Sequence, residues 1–185
     1  MLAGGQSRRM GTDKAFIEVG GQWLIARALA ALAEAAQRLV VGGTDPRLKE
    51  AAAAADAWHI ADRWPGEGPL GAVVTALGRA RHPVTVILPC DLPAVSPADV
   101  AALVQAVPHG PAGAGPSAAI FTDQRRRHYL PLAIDSGAAS LARGLFESGR
   151  RSVASLLDAV TVIDVAASPT AVADLDSPED LWLGH

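Results

Sequence analysis

Thirteen consecutive residues near the start of the chain, Leu2-Ala3-Gly4-Gly5-Gln6-Ser7-Arg8-Arg9-Met10-Gly11-Thr12-Asp13-Lys14, hold three glycines, two arginines and a lysine. Glycines accept positive φ and let the main chain approach a ligand closely. Successive free N–H groups then make a concavity suited to an anion, and Arg8, Arg9 and Lys14 bring the charge that neutralises phosphates. Lys14 and Lys49 are the only lysines in a chain that otherwise uses arginine, so a compact point charge inside the glycine string stands out. The glycines at 4, 5 and 11 fit neither GxxxxGK[ST] nor GxGxxG. The plain alternative is a glycine-rich turn with solvated arginines, and the full 13-residue string argues against it.

A second string, Leu88-Pro89-Cys90-Asp91-Leu92-Pro93, follows the most apolar run of the chain, Val84 to Leu88. An apolar run with little alternation predicts a strand buried on both faces of a parallel sheet. Ligands of open α/β sheets gather at the carboxyl ends of such strands. Asp91 is therefore a candidate Mg²⁺ ligand, because Mg²⁺ takes one or two carboxylates and completes its shell with water and substrate phosphates. The alternative is an Asp that caps the next turn. Cys90 has no evident histidine partner and reads as a small buried residue.

Two further strings are more ambiguous. Gly66-Glu67-Gly68-Pro69-Leu70-Gly71 leads into a helix and offers either a second set of N–H groups for an anion or a base, or an ordinary helix start. Asp176, in Asp174-Leu175-Asp176-Ser177-Pro178-Glu179-Asp180-Leu181, either joins Asp91 on a metal or simply caps the helix that follows.

These strings are carried by an alternation of strands and helices. Strands are expected at Leu39-Val41, Trp58-Ile60, Val84-Leu88, Ala118-Phe121, Tyr129-Ile134 and Val160-Val165. Helices are expected at Trp23-Ala36, Pro46-Ala55, Leu70-Arg79, Pro97-Ala106, Ala138-Phe146 and Ser152-Leu157. The alternation predicts a three-layer α/β domain. Ser96-Pro97 predicts a capped helix start with Pro at its first position. The Gly/Pro-rich stretch Pro108 to Pro116 reads as a loop inside one domain, residues 1–185, because about 70 residues after it make a thin second core.

Composition narrows the function classes. With 16 Lys and Arg against 19 Asp and Glu, the net charge is −3, so no broad basic face exists for nucleic acid or anionic lipid. The single cysteine excludes an internal disulfide and any CxxC metal site. No apolar run reaches a membrane span, and the N-terminus does not read as a secretion signal. The expectation is a soluble, cytoplasmic protein with no nucleic-acid or membrane partner.

The four strings in this order, LAGGxSxRMGxDKA, GPLxG, PCDLP and LDSPEDL, resemble the molybdenum cofactor guanylyltransferase family over nearly the whole chain. Relatives in the same superfamily are cofactor cytidylyltransferases and sugar-nucleotide pyrophosphorylases. The resemblance implies a Rossmann-like α/β/α fold of the nucleotide-diphospho-sugar transferase type with a mostly parallel sheet. It divides the chain into a nucleotide half of about 1–107 and an acceptor half of about 117–185. It implies Mg²⁺ as cofactor, and GTP and molybdopterin (molybdenum) cofactor as substrates: GMP passes to the cofactor phosphate and pyrophosphate leaves. Leu2, Ala3, Gly4 and Gly5 would line the GTP site through the glycine loop, Lys14 would contact the triphosphate, and Asp62 would lie at the nucleotide. Asp91 would hold Mg²⁺, while Arg9 and Lys14 would offset charge on the leaving pyrophosphate. Transient contact with enzymes that make or receive the cofactor is consistent with such a role.

The chain departs from the family at two positions. No amide side chain stands near Val41-Gly42-Gly43, where the family has an asparagine, and Asp176 stands where the family often has asparagine. Arg150 and Arg151 either meet the pterin phosphate or start a solvated helix. Use of CTP or another phosphorylated acceptor, or a silent nucleotide-binding paralogue, are the competing readings.

Family members usually carry several apolar residues before Leu-Ala-Gly-Gly as part of a central strand, whereas only Met1 precedes that string here. An N-terminus extended by several apolar residues is expected to raise both melting temperature and turnover. Equal values for the two proteins would defeat that expectation.

Overall fold

The computed structural model describes residues 1–3, 13–108, 115–167 and 171–173. Gly4, Gly5, Arg8, Arg9 and Asp176 lie outside the described residues.

The strands are β1 (Leu2–Ala3), β2 (Glu18–Val19), β3 (Gln22–Trp23), β4 (Leu39–Gly42), β5 (Trp58–Ala61), β6 (Val84–Ile87), β7 (Ser117–Thr122), β8 (Arg127–Asp135) and β9 (Thr161–Ala166). The helices are α1 (Leu24–Ala31), α2 (Pro46–Ala54), α3 (Pro69–Leu77), α4 (Pro97–Ala106), α5 (Ala139–Glu147) and α6 (Val153–Leu157). β5, β4 and β1 form one set, all parallel, and β6, β8, β7 and β9 form a second, mixed one. The Leu2–Pro89 bridge, with Leu2 N–H donating to Leu88 O at 2.8 Å, joins the two sets in the order β5-β4-β1-β6-β8-β7-β9. Only β8 runs against the others, pairing antiparallel with β6 and β7. The sheet is mostly parallel, as the family resemblance implies.

Side chains alternate across this sheet. Leu2, Val41 and Ile87 enter one buried cluster with α3, α5 and α6, while Met1, Ala3, Val40 and Leu88 enter another with α1, α2 and α4. The result is three layers. Several local devices place the helices. Asp45 accepts from Arg47 N–H ahead of Pro46 at the start of α2. Ser96 and Asp99 cap α4 reciprocally, with Ser96 N–H donating to Asp99 Oδ2 at 2.9 Å and Asp99 N–H donating to Ser96 Oγ at 3.3 Å.

Three expectations need correction. α1 starts at Leu24 and ends at Ala31, short of Ala36, because the alanine-rich tail tightens into turns (Leu32 N–H to Leu29 O, Ala33 N–H to Ala30 O) and feeds β4. Trp23 belongs instead to an antiparallel hairpin, β2–β3, turned by Gly20 and Gly21 at φ +59° and +77°. Val84, Thr85 and Val86 are only half-buried, because β1 is two residues long and leaves the first half of β6 beside an apolar groove of about 470 Å³. Leu39 and Met1 also line that groove, and the buried Met1 amine donates to Leu39 O at 2.7 Å. Burial lowers the amine's pKa to about 5.

Gly68 shows how tightly the second helical layer closes. It sits at φ +87°, ψ 170°, a region essentially reserved for glycine, and a Cβ there would stand 2.9 Å from Arg151 O. Gly68→Ala is expected to destabilise the protein by about 2–3 kcal/mol in urea denaturation. A loss below about 0.5 kcal/mol would mean that the α5–α6 junction yields easily.

Candidate active site

The register of the parallel strands aligns their carboxyl ends. Ala3 lies opposite Gly42 and Gly42 opposite Ala61, while Leu2 lies opposite Pro89. Residues that directly follow β5, β4 and β6 therefore share one edge with the end of β1, with Asp62 towards one side and Asp91 towards the other. In open α/β sheets this edge is where ligands bind.

Asp91 owes its position to alternation in the loop after β6. Leu88, Cys90 and Leu92 are buried, which turns Asp91 outward, with its side chain 26% exposed. Arg27 of α1 fixes the loop from beneath by donating Nε–H to Pro93 O at 2.8 Å. Lys14 arrives from the other direction. Its Nζ donates to Asp91 Oδ2 at 3.4 Å across 77 residues of sequence. A 3-10 turn, Lys14–Phe16, carries it, capped by Asp13, whose Oδ1 accepts from Ala15 N–H at 3.1 Å. Ala15 and Phe16 anchor the turn in the core; Phe16 packs edge-on to Trp23, and Arg47 covers its ring at 4.0 Å.

The glycine string and PCDLP, far apart in sequence, thus meet as a cation beside a carboxylate. Asp13, Arg27 and Phe16 position that pair and were not singled out from the sequence. Only Asp13 left a signal, as a cap residue directly before Lys14-Ala15-Phe16.

Asp62 sits at the far side of the edge and is already engaged. Its N–H donates to Gly42 O at 2.8 Å, and its Oδ1 accepts from Trp64 N–H and Thr75 Oγ, each at 3.1 Å. Both of those side-chain bonds fall on Oδ1, not on Oδ2. Leu2 and Ala3 have core side chains, so their contribution to a ligand site is main chain. Gly43 has open space where a Cβ would stand, whereas a Cβ at Gly42 would be 3.0 Å from Ala3 O. Close backbone approach at the edge is therefore possible beside Gly43, where no described amide side chain lies within reach of an added Cβ.

The remaining strings are structural in the described residues. The start of α3 does not offer free N–H groups: Pro69 has none, Leu70 N–H donates to Arg151 O at 3.1 Å, and Gly71 N–H donates to Gly68 O at 3.2 Å. Arg151 is a clamp. It donates to Glu67 Oε2 at 2.9 Å and to Phe146 O at 2.8 Å, and lies 4.3 Å over the Phe146 ring. In the arginine run, Arg127 pairs across to Asp164 at 2.6 Å. Asp123 holds the β7–β8 hairpin by accepting from Arg125 and Arg126 N–H at 2.7 and 2.9 Å, and it meets His128 Nε2 at 2.9 Å. Those bonds hold the Asp123 carboxyl well below the usual carboxylate range, the His128 contact most of all. Ile87 and Ile120 both face Leu132 across β8, so this hairpin stands near the level of Cys90 and Asp91.

Asp91 fits a magnesium ion by chemistry: a hard carboxylate oxygen, turned to solvent, at an edge where phosphates would supply further oxygens. No cluster of three His, Cys, Asp or Glu residues forms a self-sufficient metal site among the described residues.

An α/β/α layer with lysine and carboxylate paired at the carboxyl edge of its central strands defines a nucleotidyltransferase type of domain. The chain belongs to the MobA-like NTP transferase domain family, whose sequence model matches residues 1–162. A "Probable molybdenum cofactor guanylyltransferase" of Chloroflexus aggregans is 31% identical over 211 residues, covering 99% of this chain and 90% of its own. A molybdenum cofactor guanylyltransferase of Rhizobium johnstonii is 33% identical over 202 residues, covering 98% and 88%. The crystal structure of molybdopterin-guanine dinucleotide biosynthesis protein A from Archaeoglobus fulgidus superposes with a TM-score of 0.74 at 21% identity, covering 97% and 92%. At that identity the likeness speaks for the fold. No described helix is long and apolar enough to cross a membrane.

Beneath this pair, Cys90 is a core residue. Burial, then the charges of Asp91 and Asp13, push its thiol up to about 12 from 9.0. A group raised in the fold contributes stability that is complete below pH 9 and lost as pH rises towards 12. At pH 8.5, iodoacetamide is expected to alkylate native Cys90 at least ~100-fold more slowly than Cys90 in urea, because the thiolate is the nucleophile. Equal rates would show that the thiol is open to solvent.

Proposed function

We propose that this protein transfers GMP from GTP to the phosphate of molybdopterin cofactor, releasing pyrophosphate, and that it does so in the cytoplasm. The observation that carries the reading is the Lys14–Asp91 pair, 3.4 Å apart at the carboxyl edge of the sheet, inside a MobA-like NTP transferase domain. The substrates follow from the full-length relatives named molybdenum cofactor guanylyltransferase.

An acceptor phosphate is already anionic at neutral pH, so in-line attack on the α-phosphorus of GTP needs no general base. What this chain must supply is position and charge. Lys14 neutralises the triphosphate, and Arg9 joins it as charge builds on the leaving pyrophosphate. Asp91 would hold Mg²⁺, which would supply neutralising charge to the phosphates. Asp62, through its remaining carboxylate oxygen, accepts from the nucleoside, and Leu2, Ala3, Gly4 and Gly5 serve as the lining of the GTP site.

Supplying each NTP in turn with molybdopterin cofactor and Mg²⁺ tests the reading by pyrophosphate release and product mass. GTP is expected to give the guanine dinucleotide product. CTP as the preferred donor would replace the guanylyl reading, and GTP binding without pyrophosphate release would remove the enzyme reading.

Lys14→Ala and Asp91→Ala are each expected to cut transfer by about 10² or more. Asp91→Asn is expected to raise the Mg²⁺ concentration needed for half-maximal rate. Near-parental turnover removes the substituted residue from the mechanism, and an unchanged Mg²⁺ titration removes Asp91 as a ligand.

A further inference from the structure

The outer edge of the sheet, on β5, carries features that nucleotidyl transfer does not use. Among the described residues β5 pairs with β4 on one side only and ends the strand order. Trp58 N–H donates to Arg38 O and Asp62 N–H to Gly42 O, at 3.0 and 2.8 Å. Main-chain groups alternate along a strand, so the N–H and C=O groups of His59 and Ala61 face away from β4.

Two clefts of about 780 and 720 Å³ run beside this edge and meet at Ile60, Gly78 and Arg79. Their linings bring five cations together: Lys49, Arg79 and Arg81 in the first, and Arg63, Arg79 and Arg143 in the second. Arg143 pairs with Glu147 at 2.8 Å, whereas Lys49, Arg63, Arg79 and Arg81 make no ion pair with a described carboxylate. The one carboxylate lining either cleft is Asp62, which is bonded to Trp64 and Thr75.

The cations are also held in place. Arg81 lies 5.0 Å over the Trp58 ring and Arg63 lies 5.3 Å over the Trp64 ring. Gln37 ties the segment carrying two of them, its Nε2–H donating to Arg79 O and its Oε1 accepting from Arg81 N–H, each at 3.0 Å. Trp58 remains 59% exposed, the most exposed of the large apolar residues described.

A strand edge with open main-chain groups, an exposed aromatic and an unpaired cationic rim is matched by one kind of occupant. We propose that the β5 edge docks an extended, acidic segment of a partner protein by strand addition, its carboxylates meeting Lys49, Arg79 and Arg81 and its apolar residues covering Trp58. Charge complementarity selects this partner. A second copy of the chain would bring two cationic rims together, which disfavours self-pairing. Nucleic acid offers no strand-like alternation of donors and acceptors, and the net charge of −3 gives a long polyanion no favourable field beyond this patch.

The test is fluorescence anisotropy of the full chain with a labelled eight-residue peptide that alternates Glu and Val. Saturable binding is expected, weakened tenfold or more by 0.5 M NaCl and by Arg79→Glu. Lys49→Glu, at an exposed helix position, is expected to weaken it as well, and circular dichroism melting checks that both variants fold. N-methylation of one alternate set of peptide amides is expected to abolish binding, while methylation of the other set leaves it intact. The proposal is overturned if the Glu–Val peptide does not saturate or if a Lys–Val peptide binds equally well. It is also overturned if the two methylated peptides bind alike, or if an eight-nucleotide oligo-U binds more tightly and responds to the same variants.

Discussion

Main-chain hydrogen bonds on either side of β1 hold the two halves of this sheet together. Val41 N–H donates to Met1 O at 2.9 Å, and Leu2 N–H donates to Leu88 O at 2.8 Å. Through them a two-residue strand, β1, sets β4 and β5 beside β6 and everything beyond it. The distance between Asp62 and Asp91 along the carboxyl edge follows from this insertion. Because the bonds are made by the backbone, the side chains remain available to both layers: Leu2 packs towards α3, and Met1 and Ala3 pack towards α1 and α2. The close fit explains Gly42, whose missing Cβ makes room for Ala3 O.

Charge is distributed with the same economy. Only partly exposed residues carry the polar chemistry of the edge, and the residues directly beneath are apolar. Cys90 and Asp91 are neighbours in sequence and opposites in environment, one pressed into the core and the other turned to water. That division comes from strand-like alternation continuing past the end of β6, held by Arg27 from α1. Lys14 depends in turn on a short turn whose own stability lies in Phe16 and the Asp13 cap.

Much of this was legible in the sequence because its signals are local. Ser96-Pro97 marked the start of α4, and the β-branched runs marked β4, β5 and β6 to within a residue or two. The Lys14–Asp91 meeting was legible only through the motifs, since nothing local joins residues 77 positions apart. The β2–β3 hairpin went unread although Gly20-Gly21 is a strong two-residue turn signal, because the apolar period of the following helix was extended back over Trp23. The end of α1 was illegible for a physical reason: alanine favours helix, and only the need to enter β4 stops it at Ala31. The role of Arg151 was hidden as well, because a clamp on Glu67 and Phe146 is a tertiary arrangement that a basic stretch in sequence does not disclose.

The β7–β8 hairpin stands near the level of Asp91 and is tied at its tip by one carboxylate that serves two backbone amides and a histidine. So braced, the turn is shaped by bonds of its own rather than by anything bound beside it. A ligand that used this flank would meet a contour already in place and be selected by its shape, and the ordering cost spared would be the hairpin's.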